Sequence, residues 1–136
     1  MSAPELVVES TVRFLKDYEP FARMARDDLR FLAARARLAY FPVGTTIVDA
    51  ATGAAGDLHV IRQGHVRSED PTIRGTDVVL GPGECFPLIR LAADTAGVGT
   101  FTATEDVFCW QLGREDFGEL RARSAPFAEF CAQALA

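Results

Sequence analysis

LGPGECFPLIRLAADTAGVGTFTATEDVFCWQL, residues 80–112, runs through a strand end, a Gly-Pro-Gly turn, a short apolar helix-prone piece, a Gly-rich loop and two further strands. An insert of this kind between strands forms a cradle. A helix N-terminus that follows a turn exposes backbone N–H groups suited to an anion. Gly97 and Gly99 allow a ligand to approach the backbone closely. The competing reading is a plain connector with one helical turn.

Upstream, short apolar or β-branched runs are punctuated by Gly and Pro. Leu38-Ala39-Tyr40-Phe41 ends at Pro42-Val43-Gly44, and Thr45-Thr46-Ile47-Val48 ends in a loop of small residues from Ala50 to Gly56. Leu58-His59-Val60-Ile61 turns at Gln63-Gly64 into His65-Val66-Arg67, and Asp77-Val78-Val79-Leu80 leads into the quoted stretch. Turn signals about every 8–12 residues predict an antiparallel sandwich or barrel, not alternating βα units. Both flanks read as helix. Val8, Val12 and Leu15 form one apolar stripe, and Leu29, Leu32, Ala33 and Ala36 another, with Pro20 between them. Asp27 and Asp28 suit the start of the second helix. Near the C-terminus, Phe117 and Leu120 make a short face, and Ser124 caps a last helix striped by Phe127, Phe130, Cys131 and Ala134. The predicted organisation is one mainly β domain over 1–136, helical at 3–37, β at 38–112 and helical again at 114–136. The apolar pattern still running at Ala136 points to a piece of a longer protein, or to a helix that docks on a partner.

Length and composition agree with this. A chain of 136 residues with 49% apolar and 24% charged residues buries a core without disulfide or metal. A net charge of -5 argues against a nucleic-acid surface, and no apolar run reaches the roughly 20 residues of a membrane span. The N-terminus lacks the pattern of a secretory signal. Three widely spaced cysteines, 85, 109 and 131, suggest neither a disulfide frame nor a zinc site. A cytoplasmic setting with buried thiols is the expectation.

Enzyme signatures are absent: no GxSxG, Walker loop, GxGxxG opening a helix or HExxH occurs. His59 and His65 flank the Gln63-Gly64 turn and would be the start of a cupin-like metal site, but the His-x-His pair and the later His of that pattern are missing. Cys85 has no nearby base in sequence.

The order and spacing of several short motifs resemble the cyclic nucleotide-binding domain family from about Tyr18 to Ala134. These are Phe41-Pro42-x-Gly44, Ile61-Arg62-Gln63-Gly64, Leu80-Gly81-Pro82-Gly83-Glu84-Cys85-Phe86 and Thr100-Phe101-Thr102-Ala103-Thr104-Glu105-Asp106. The resemblance implies a β jelly roll (a double-stranded β-helix) with flanking helices, a phosphate-binding cassette near residues 83–100, and a C-terminal helix that relays occupancy. Cys-Phe-Pro-Leu at 85–88 is further similar to the N-terminal domain of bacterial proteins that continue into CBS domains and a putative nucleotidyltransferase.

Departures from the family pattern decide the functional expectation. After Phe86 the family continues Gly-Glu-Leu-Ala/Ser, whereas this chain has Pro87-Leu88-Ile89-Arg90. By that resemblance the ribose-binding Glu falls on Leu88 and the phosphate-binding Arg on or near Gly97. Each charge-assisted contact contributes very roughly 1.5–3 kcal/mol, so losing both lowers affinity on the order of a hundredfold to ten-thousandfold. The candidate cassette comprises Gly83, Glu84, Phe86, Pro87, Leu88, Ile89, Arg90, Gly97, Gly99 and Thr100. Arg90 and Arg74 are the candidates to replace the missing cation, each against the plainer reading of a solvated surface arginine, and Phe86 reads as core. Leu88 is expected to make the sugar site more apolar. The expectation is therefore a non-catalytic sensor with no resident cofactor or metal, taking a nucleotide-like small molecule but not cAMP or cGMP at ordinary strength. It would signal to downstream domains of the same chain. Alternatives are a dimerisation or protein-interaction module using the Phe127/Phe130 stripe over a vestigial pocket, with a homodimer through the C-terminal helix, and a cupin-like metal-dependent enzyme using His59 and His65.

Overall fold

A computed structural model describes residues 2–49, 56–69, 77–93 and 99–135. Among the described residues, eight strands form two four-stranded antiparallel sheets. One has the order β1 (Arg37–Phe41), β8 (Val107–Leu112), β3 (Leu58–Gln63), β6 (Cys85–Phe86). The other has the order β2 (Thr46–Val48), β7 (Thr100–Ala103), β4 (Val66–Glu69), β5 (Val78–Leu80). Consecutive strands alternate between the sheets except at the β4–β5 hairpin partners, which is the jelly-roll course. The punctuation by Gly and Pro located seven of these strands. It missed β6, whose two residues are too few to carry a period.

Alternation along β3 and β8 divides the apolar residues between two cores. Ile61, Val107 and Cys109 face the barrel interior with Val66, Phe86 and Ala103. Leu58, Val60, Trp110 and Leu112 face the helices. Those helices are α1 (Ala3–Leu15), α2 (Arg26–Arg35), α4 (Arg114–Arg123) and α5 (Ala125–Ala134). Val12, Leu15, Leu29, Leu32, Phe117, Leu120, Phe127 and Cys131 pack into the same cluster. The helical stretch expected at 3–37 is interrupted. α1 ends at Leu15, a single 3-10 turn covers Phe21–Arg23, and Arg37 already belongs to β1. Phe21, fully buried, anchors the interrupted segment.

Ser124 caps α5 as expected, its hydroxyl accepting from the Phe127 backbone N–H at 3.3 Å. The α5 stripe is spent on the domain's own core: Phe127 and Cys131 are buried and Phe130 is half-buried. Of the three turn glycines with positive φ, Gly44, Gly64 and Gly83, the last two also leave no room for a Cβ. At Gly64, φ is 94° and a Cβ would stand 2.4 Å from the Asp106 carbonyl oxygen. At Gly83, φ is 86° and a Cβ would stand 2.2 Å from the Tyr18 ring.

Gly83→Ala combines left-handed strain with overpacking and is expected to cost about 2 kcal/mol or more. Gly118→Ala sits in α4 with open space around its Cβ and is expected to add up to about 1 kcal/mol. Urea unfolding of the two variants checks both signs.

Candidate functional site

The cassette begins at a tight turn. Gly81 N–H donates to Glu84 Oε2 at 2.7 Å, and Glu84 N–H donates to the Gly81 carbonyl at 3.1 Å. Glu84 thus closes its own turn. β6 then pairs with β3, placing Phe86 opposite His59. The short helix α3 (Leu88–Ala93) follows, its first turn closed by Leu91 N–H donating to the Pro87 carbonyl at 3.2 Å.

The faces of α3 separate its side chains. Leu88 and Ala92 pack against the helical cluster, which Leu91 joins. Ile89 is exposed to solvent. Leu88, expected to make a sugar site more apolar, lies among the helices instead, because a half-buried leucine gains more there than beside polar walls. Arg90 corrects the surface reading more sharply. Its side chain is 4% exposed. Nη2 donates to the Gly99 carbonyl at 3.0 Å, and Nη1 to the Asp49 carbonyl at 3.3 Å. One guanidinium therefore ties α3 to the residue preceding β7 and to the end of β2.

Beneath Arg90 lies a cavity of about 230 Å³ lined also by Val48, Asp57, His59, Pro87 and Gln111. His59 and Gln111 are cross-strand partners on β3 and β8, in phase with the inward-facing Ile61 and Cys109. The His59 ring stacks on Phe86, with centroids 4.9 Å apart and planes 8° apart, and Phe86 stacks in turn on Phe101. Phe86 is thus core, as its sequence context implied. Gln111 Nε2 lies 3.2 Å from His59 Nε2. Since an amide nitrogen only donates, that contact makes Nε2 the acceptor and puts the ring proton on Nδ1. Among the described residues, Nδ1 is buried with no hydrogen-bond partner. Burial lowers the His59 pKa, with the Asp57 charge opposing the shift more weakly. The imidazole is therefore held neutral.

The remaining candidates separate. Gly83 is required by its turn, and Thr100 opens β7 opposite Glu69. Gly99 contributes its carbonyl and not a close approach. Gly97 and Arg74 lie outside the described residues. His65 is exposed and pairs with Glu105 at 2.7 Å, away from the buried His59. Burial raises all three thiols, Cys131 to about 11 and Cys109 to about 12, with Cys85 also raised. None is a ready nucleophile. Sequence reading missed Asp57, His59 and Gln111 as a group. The available signal was a polar residue at an inward position of each of two strands.

The cyclic nucleotide-binding domain family matches residues 38–124. That span is more than half of the chain, and the chain belongs to this family. No curated protein matches it. Among solved structures, the regulatory subunit of a cAMP-independent protein kinase A from Trypanosoma brucei superposes with a TM-score of 0.84 at 17% identity, over 98% of this chain and 47% of that one. The corresponding subunit from Trypanosoma cruzi, bound to guanosine, gives 0.83 at 17% identity over 98% and 47%. The regulatory domain of Toxoplasma gondii protein kinase A with cAMP gives 0.71 at 20% identity over 88% and 46%. This chain thus spans under half the length of those structures, and the likeness establishes the jelly-roll fold.

His59 gives a pH test. A base whose folded pKa is lowered leaves the unfolded chain holding more protons, so stability falls as pH drops below the ordinary 6.5. Thermal unfolding between pH 7.5 and pH 5 is expected to show a fall in Tm that is smaller in His59→Gln.

Proposed function

We propose that this chain is a non-catalytic regulatory module of a bacterial cytoplasmic protein, sensing a small molecule other than cAMP or cGMP. The observation that carries this reading is the treatment of the two polar grips. The position of the ribose carboxylate is Leu88, turned into the helical cluster. The cation of the cassette, Arg90, is inward and engaged with the chain's own carbonyls. A cyclic nucleotide would find no carboxylate for its sugar at the Leu88 position. The guanosine complex of the Trypanosoma cruzi protein supports a fold whose ligands extend beyond cyclic nucleotides.

Non-catalysis is supported by thiols held protonated and by a neutral histidine clamped in an aromatic stack. Output would run through contacts already in place. α3 packs on α5, and Arg121 of α4 donates to the Ala92 carbonyl at the end of α3 at 3.1 Å. A ligand that prefers one pose of α3 shifts α5 by no more than its differential affinity for the two poses. The continuation into CBS and nucleotidyltransferase domains belongs to the same proposal, and the reading frame beyond residue 136 tests it.

Titration of the protein with cAMP and cGMP, followed by amide shifts of residues 83–93, is expected to show no saturation below about 100 µM. Saturation below about 10 µM overturns the reading.

A further inference from the structure

We propose that the cavity beneath α3 binds a compact amino-acid-like zwitterion, its carboxylate on Arg90 and its ammonium on Asp57. This rests on the reading that the module's ligand is not a cyclic nucleotide, and it names the ligand class. The chemistry of the walls sets that class. Arg90 supplies a fixed cation that is 4% exposed, and its bonds to Gly99 and Asp49 are to carbonyl dipoles. These use two of the five N–H groups a guanidinium carries. A carboxylate partner makes a charge-assisted bond roughly twice as strong as a neutral one.

The opposite charge is also built in, since Asp57 and Asp49 both line the cavity. His59 adds no second cation, because it is held neutral by burial. A phosphate monoester would bring about two negative charges to one cation with the Asp57 carboxylate beside it. An apolar molecule would offer Arg90 nothing beyond its two carbonyl dipoles and would cover the half-buried Asp57 carboxylate without a partner. A molecule bearing one anion and one cation satisfies both walls, and Val48 and Pro87 offer apolar surface to its side chain. Size points the same way: the cavity, at about 230 Å³, is smaller than the roughly 300–1,000 Å³ that holds drug-sized ligands. Arg90 belongs to α3, which packs on α5, so occupancy reaches the helix that would carry the signal.

Amide-shift titrations of the whole chain test the assignment, using the standard L-amino acids, propionate, propylamine, inorganic phosphate and cAMP as probes. At least one amino acid is expected to saturate at or below about 1 mM, with shifts centred on His59, Arg90 and Gln111. Propionate and propylamine, each lacking one charge, are expected to bind at least about tenfold more weakly. Arg90→Gln should lose the amino acid and propionate together. Asp57→Asn should lose the amino acid and propylamine while retaining propionate. Asp57 is half-buried in a loop, so that selectivity remains readable if Arg90→Gln does not fold. Failure of every amino acid to bind at about 10 mM, or tighter binding of inorganic phosphate, overturns the assignment. If cAMP also fails to bind, the wider reading stands and only this assignment falls. Tight cAMP binding removes the wider reading itself.

Discussion

The pairing of β3 with β8 is the constraint on which the rest of the molecule depends. Both strands are buried on both faces. Leu58, Val60, Trp110 and Leu112 serve the helical core. Ile61, Cys109, His59 and Gln111 turn toward the barrel, opposite one another as His59↔Gln111 and Ile61↔Cys109. A slip of one residue would exchange the faces of a whole strand. Histidine and glutamine would meet the helices, while tryptophan would enter a barrel already filled by Phe86 and Phe101. The penalty fixes the register, and the register places the polar end of the cavity.

Arg90 is the second organising contact, and it depends on the first. Burial of a guanidinium is tolerated where carbonyl oxygens receive its donors. Here those carbonyls come from Asp49 and Gly99, at the borders of β2 and β7. Both strands belong to the opposite sheet. One side chain of α3 thus spans from the cassette to the far sheet, while Leu88 and Leu91 on the same short helix hold to the helical cluster. α3 is thereby clamped between barrel and helices.

The outer helices are joined by charge and aromatic contact beyond their apolar stripes. Arg35 pairs with Asp116 at 3.0 Å and Arg123 with Asp28 at 3.3 Å, linking α2 to α4. Both guanidinium groups also lie over the Phe31 ring, at 4.8 and 4.4 Å from its centroid. Both arginines are solvent-exposed while Asp116 and Asp28 are half-buried, so each ion pair contributes little by itself. The cation–π contacts add geometry more than energy. They set how α4 lies on α2, and α4 carries the arginine that reaches the end of α3.

Local chemistry was legible in the amino-acid order. Gly and Pro marked where strands end, apolar spacing marked the helical faces, and motif order identified the family. Three features needed the tertiary structure. β6 is too short for a pattern and exists only because β3 offers an open edge. Arg90 looked like a surface arginine until partners distant in sequence enclosed it. Asp57, His59, Arg90 and Gln111 are scattered over more than fifty positions and share one cavity only through the register of the two sheets. Turns, periodicity and motif spacing are properties of neighbouring residues. A binding cavity is a property of strands brought together from far apart, and folding alone decides which side chains then face one another.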